Sequence, residues 1–264
     1  AAGDIGYLTF GDYQNWMNPG GGISSSGAIT IDASQVNFFD VSHLQADDAI
    51  TLSIGERGDF SGGSVSTAGA FTLDASQAMS GQVAISSVSA GSDITITMGQ
   101  GTGGISLGNY LRSDGVISEG DVSIETTNFG GHVDVHHIEA QGNVTVGLGG
   151  NGDFSSGGIY SDSSFTMDAS NAVSGGIIIG DVEADSNVNI TMGSGSGHAS
   201  IGTYSGFALI RWPPGIESGK NVTIDTQNFE GSFNSNGISA SGNINVSLGD
   251  TLFSATNMYA LGDV

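Results

Sequence analysis

His132, Asp134 and His136 stand at alternate positions of the stretch His132-Val133-Asp134-Val135-His136-His137. In an extended chain alternate side chains share a face about 7 Å apart, so two imidazoles and a carboxylate are placed where a divalent cation would accept them. An open strand face closes no coordination shell. Related stretches hold Gln82, Ala84 and Ser86, or Ser232, Asn234 and Asn236, at the same places, so the row reads first as an outward polar face and only second as a metal site. Acidic corners at Asp59, Asp153 and Asp250 offer hard oxygen donors to Ca2+, and no other cofactor is expected. The chain has no Cys, which removes thiolate nucleophiles, Cys-ligated metals and disulfides. Gly99-Gln100-Gly101-Thr102-Gly103-Gly104 and Gly149-Gly150-Asn151-Gly152-Asp153 lack the helix and Lys of a phosphate loop. They also lack the nine-residue iteration of a calcium-binding repeat, so they fit corner turns.

Paired carboxylates would suit polysaccharide cleavage, but Asp32, Asp74 and their relatives are spread evenly without a local cluster, and a non-enzymatic protein is expected. A column of hydroxyls, Thr30, Thr51, Thr72 and Thr95, suggests an ice-binding lattice; its companion column is charged at alternate steps, which spoils the lattice. One segment departs from the polar composition of the other loops. Phe207, Ile210, Arg211 and Trp212 lie together, and Trp and Arg are enriched at binding hot spots, so this segment is expected to touch a partner or to cover its own wall.

The charge balance narrows the partners. Four basic residues (Arg57, Arg112, Arg211 and Lys220) against 27 acidic ones give a net charge of −23, which repels nucleic acid and anionic lipid alike. Hydrophobic residues make up 38%, enough for a core, yet no run approaches the roughly 18 apolar residues of a membrane span, so no membrane insertion is expected.

The elements that must carry these residues are repeats. Ile29-Thr30-Ile31, Ile50-Thr51-Leu52, Phe71-Thr72-Leu73, Ile94-Thr95-Ile96 and Val122-Ser123-Ile124 are followed by Val144-Thr145-Val146, Phe165-Thr166-Met167, Val188-Asn189-Ile190, Val222-Thr223-Ile224 and Ile244-Asn245-Val246. Each has the period-2 pattern of a half-buried strand, and most recur about 22 residues apart. A weaker second strand is expected in alternate units, at Val83-Ala84-Ile85, Val133-Asp134-Val135 and Ile177-Ile178-Ile179. A unit of this size cannot bury its own apolar face, so stacking is required. The spacing predicts an all-β fold, a parallel β-solenoid (β-helix) of about eleven coils over residues 1–264, roughly 50 Å long at strand spacing.

Two columns indicate two alternating coil types. The next inward position reads Ala33, Ile54, Ala75, Met98, Thr126, Leu148, Ala169, Met192, Thr226, Leu248, small and large in turn. The outward position before it reads Asp32, Ser53, Asp74, Thr97, Glu125, Gly147, Asp168, Thr191, Asp225, Ser247, so carboxylates skip every second coil and like charges stay about 9.6 Å apart. Gly58-Asp59-Phe60-Ser61 recurs 94 residues later as Gly152-Asp153-Phe154-Ser155, a larger repeat of four coils. Corner-loop insertions are expected at 110–120 and 204–219.

Ser118-Glu119-Gly120-Asp121-Val122-Ser123-Ile124, Gln141-Gly142-Asn143-Val144-Thr145-Val146 and Ser241-Gly242-Asn243-Ile244-Asn245-Val246 resemble the coil repeat of filamentous-haemagglutinin-type adhesins. The resemblance covers nearly the whole chain and implies a secreted bacterial β-helix acting as a surface fibre or adhesive stalk. Those repeats are usually single coils, whereas this chain alternates two. The acidic, lysine-poor, cysteine-free composition is also similar to surface-layer proteins. The chain begins Ala1-Ala2-Gly3, which fits a removed leader or a piece of something longer; both agree with an extracellular or cell-surface location. The reading is a structural protein that stacks coils head to tail on copies of itself, using Tyr7, Phe10, Tyr13 and Val264, with lateral contacts through 204–219. The alternative is a carbohydrate-active or carbohydrate-binding β-helix.

Overall fold

Strands that alternate apolar and polar residues need a neighbour for each edge and a partner for each apolar face, and a coiled chain supplies both. The computed structural model describes residues 22–56, 58–78, 81–108, 115–150, 153–172, 174–202 and 215–264, with the backbone of 8–10. They form a parallel β-solenoid with no helix among the described residues. A narrow sheet of ten strands marks ten coils: Ile29–Ala33, Ile50–Ile54, Phe71–Ala75, Ile94–Met98, Val122–Thr126, Val144–Gly150, Phe165–Ala172, Val188–Met192, Val222–Thr226 and Ile244–Leu248. A wide sheet faces it and is bent in its middle. In coils 1 to 3 each of its rungs is one long strand, Phe38–Ala46, Asp59–Thr67 and Gln82–Ala90; from coil 4 on each rung is two short strands. It has one more rung than the narrow sheet, formed ahead of coil 1 by Leu8–Phe10 and Ile23–Ser25, which accounts for the expected count of about eleven.

The paired-coil columns hold in three dimensions. Ala33 lies opposite Ile54, Ala75 opposite Met98, Thr126 opposite Leu148, Ala169 opposite Met192 and Thr226 opposite Leu248. A third column, at the far end of the wide sheet, repeats the parity: Ala46, Thr67, Ala90, Ser118, Ala140, Ser161, Ala184, Ser218, Ala240. The buried hydroxyls satisfy carbonyls of the preceding corner, Ser118 Oγ to Ser92 O at 2.6 Å, Ser161 Oγ to Gly142 O at 2.8 Å and Ser218 Oγ to Ser186 O at 2.6 Å. Beside them runs a ladder in which Asp121 N–H donates to Asp93 Oδ1, Asn143 N–H to Asp121 Oδ1 and Asn243 N–H to Asn221 Oδ1. Ser218→Ala removes a buried hydroxyl that donates to Ser186 O and Asn221 O and accepts Lys220 N–H, although Ser186 O keeps the Lys220 N–H at 3.0 Å and Asn221 O keeps the Val188 N–H at 2.9 Å. Because both carbonyls keep a backbone donor, the expected cost in urea unfolding is about 0.5–1.5 kcal/mol, whereas Ser239→Ala, one strand on and facing outward, changes stability by under about 0.5 kcal/mol.

The wide sheet departs from expectation in one respect: it has strands in every coil, not in alternate ones. In coils 2, 6, 9 and 10 the inward pair is Phe60 with Gly62, Phe154 with Ser156, Phe233 with Ser235 and Phe253 with Ala255. A large ring fills the space that two aliphatic side chains fill elsewhere. The Phe60 ring lies where a Cβ on Gly62 would come within 3.0 Å of it. The apolar alternation therefore vanishes from the sequence while the packing density is kept.

Val116–Ser118 and Ile216–Ser218 are wide-sheet strands, so the two insertions are shorter than expected, joining Leu107 to Val116 and Ile201 to Ile216. In the leading rung Leu8–Phe10 and Ile23–Ser25 are likewise two strands paired with one long strand, Phe38–Ala46. The two strands of a rung are thus farthest apart in the chain in the leading rung, in coil 4 and in coil 8, one every fourth coil.

Candidate functional site

His132 and Asp134 face outward from His132–Val135, as the alternation requires, and Ser155 Oγ donates to Asp134 Oδ1 at 2.7 Å. His136 lies past the strand, at the bend. The row does not assemble a metal site: among the described residues no three His, Cys, Asp or Glu side chains are disposed to hold a metal ion. An extended backbone spaces the three side chains along a line; the neighbouring rungs set Gly104, Ser106 and Ser155 beside them, and Asp153, which lies opposite His132, accepts Gly176 N–H of the next coil at 2.6 Å.

The corner carboxylates named for Ca2+ have backbone partners. Asp59 Oδ1 accepts Gln82 N–H at 2.7 Å, and Asp153 Oδ1 accepts Gly176 N–H at 2.6 Å, each bridging to the next coil. Asp250 is exposed at the last corner. The outward carboxylates of the narrow sheet close their own turns. Asp32, Asp74 and Asp168 each accept an N–H two residues on, from Ser34, Ser76 and Ser170, at 2.9 to 3.0 Å, and Asp225 does the same for Gln227. The hydrogen bonds from Ser34 hold the Asp32 carboxyl below its ordinary range. Glu125 reaches over Gly147 and accepts the Thr127 hydroxyl at 2.8 Å.

The interface residues fall differently. Tyr7, Tyr13, Phe207, Ile210, Arg211 and Trp212 lie outside the described residues. Phe10 ends a strand paired in register with Val41, and Val264 is 77% exposed.

A cluster of titratable groups around His137 was not singled out from the sequence. It sits on the bend just past the coil 4 connection. His137 Nε2 is 3.7 Å from Glu139 Oε2, its ring packs on Tyr160 at 5.0 Å, and the Tyr160 hydroxyl donates to Asp181 Oδ2 at 2.7 Å. Gly115, where the connection rejoins the sheet, lies against His137 so closely that a Cβ there would fall 2.8 Å from the His137 Cβ. His43, 94 residues earlier, has the same seat against Gly22. Its ring nitrogens meet Ser64 Oγ at 2.7 Å and Gln45 Oε1 at 3.3 Å. The 94-residue period that relates Gly58 to Gly152 relates these histidines too, and that was the available signal.

Burial pushes the His137 imidazole below its ordinary range, opposed in part by Glu139 and Asp181 and reinforced by His136. The unfolded chain then binds a proton more readily than the folded one. Stability from this residue is full above the ordinary histidine pKa of about 6.5 and is lost as pH falls through it toward the lower folded value. Melting temperature is expected to drop between pH 7.5 and pH 5, and His137→Gln to flatten that drop; an identical pH profile in the variant would assign the acid sensitivity elsewhere.

Comparison of the chain with protein-family models, with curated proteins and with solved structures found no match.

Proposed function

We propose that the protein is an extracellular structural rod, a filament subunit or adhesin stalk in which coils continue end to end. The observation that supports it is the parallel pairing of all ten narrow-sheet strands, with a register shift between Gly147 and Gly149, and one apolar core running along the described coils. Parallel ladders in every coil resist extension along the axis together, a property a stalk requires. The outward carboxylates engaged in turns favour scaffolding over acid–base chemistry. At the last coil Leu248, Leu252, Tyr259 and Leu261 are exposed, together with free strand edges. A further coil in register, from the same polypeptide or from a second copy, would cover them.

Negative-stain electron microscopy with mass spectrometry of the protein from its source tests this reading. Filaments or long rods are expected. A mass far above 26.5 kDa selects the stalk; a mass of 26.5 kDa selects the filament subunit, in which case deleting residues 1–13 abolishes filaments. Discrete short monomers at the native mass would overturn both. The carbohydrate-binding alternative is favoured by a groove at one corner of the rod.

A further inference from the structure

The corner between the narrow and the wide sheet is built on one four-residue turn in four of the odd-numbered coils. Val36 N–H bonds Ala33 O, Ala78 bonds Ala75 O, Phe129 bonds Thr126 O and Phe229 bonds Thr226 O, at 2.9 to 3.1 Å. The residue at this point plugs the corner. In coils 5 and 9 it is a buried phenylalanine; in coils 1 and 3 it is Val36 and Ala78. Between those two smaller plugs lies the Gly55-Glu56 turn of coil 2, closed by Gly58 N–H on Gly55 O at 3.1 Å.

Here the corner opens into a groove of about 500 Å3, continuous with solvent, lined by Ser34, Gln35, Asn37, Glu56 and Gln77 around Val36 and Gly55. Its backbone is held in place: Asp32 fixes Ser34 N–H, and Asn37 O accepts Asp59 N–H at 2.9 Å. The side chains offer three primary amides, a hydroxyl and a carboxylate. Each amide sets a donor beside an acceptor, the arrangement that meets two adjacent hydroxyls of a polyol. Among the described residues the lining has no aromatic ring to stack a sugar face, Glu56 places a carboxylate in it, and the net charge of −23 repels acidic sugars.

We propose that this groove binds a neutral saccharide of two or three rings through its vicinal hydroxyls. The volume is that of an ordinary small-ligand site. The inference rests on the adhesive arm of the proposed function and gives it a ligand class.

The test is a titration of the full chain, followed by amide NMR, with maltotriose, with N,N′-diacetylchitobiose and with 3′-sialyllactose. The expected result is saturable shifts of the Gln35, Asn37 and Gln77 side-chain amides with at least one neutral probe and none with the sialylated one. Gln35→Ala combined with Gln77→Ala, both on the surface, should leave the melt unchanged and weaken binding by about tenfold or more. Absence of shifts with both neutral probes, saturation by the sialylated probe alone, or equal affinity in the double variant would overturn the proposal. Rod assembly is read separately by microscopy. Filaments without sugar binding remove the groove and leave the structural reading; sugar binding by discrete monomers does the reverse.

Discussion

Ile96→Asp abolishes the cooperative melt of the rod. Ile96 is fully buried, opposite Leu73 of coil 3 and Ile124 of coil 5, both also buried. A carboxylate there loses its water and meets Leu73 and Ile124, which offer it no hydrogen bond, and this costs several kcal/mol even after relaxation, a large part of the roughly 5–15 kcal/mol that holds a domain folded. The lesion also acts through the topology. Each coil is stabilised chiefly by the coils on either side, so breaking coil 4 uncouples coils 1 to 3 from coils 5 to 10. Circular dichroism should show a broad, low-temperature loss of β signal in place of one sharp transition. Thr95→Asp is the control, because Thr95 faces outward one residue away and a surface change there costs under about 0.5 kcal/mol. If the two variants melt alike, the inward and outward faces have been assigned wrongly.

Phe154→Ala is expected to cost about 3–5 kcal/mol, the range for emptying a buried aromatic site. Phe154 is fully buried between Val133 of coil 5 and Ile177 of coil 7, and Ser156, the next inward position, is too small to fill the gap. The adjoining coils fill the same volume as Val133 with Val135 and as Ile177 with Ile179. Phe154→Val with Ser156→Val copies that arrangement and should recover more than half of the loss, although the Ser156 hydroxyl bond to Gly158 O at 3.1 Å goes with it. Urea midpoints of the three proteins decide the matter. A cost below about 1 kcal/mol for Phe154→Ala, or no recovery in the double variant, would show that ring and aliphatic pair are not interchangeable fillings of one space.

What the sequence determined by itself was the narrow sheet and its two-coil parity. Both are local: a strand of five residues writes its facing in period 2, and the step from Ala33 to Ile54 to Ala75 repeats within one chain length of a coil. The outward row His132, Asp134, His136 was likewise legible as a face, but not as a ligand set, because facing is a property of the strand and coordination is a property of its neighbours. Other features depended on register across coils. The strand at Phe60 and Gly62 was hidden because one ring replaced two aliphatic side chains. The alternating hydroxyls at Thr67, Ser118, Ser161 and Ser218 meant nothing until stacking set each beside a carbonyl 19 to 32 residues earlier. Asp32 read as one of an evenly spaced outward row, and only the turn showed Ser34 N–H against it. His43 and His137, and the groove between the Val36 and Ala78 plugs, exist only where separate coils are brought side by side. Hydrogen bonding and packing across that gap are fixed by the helical rise of the solenoid, and no window shorter than a coil contains it.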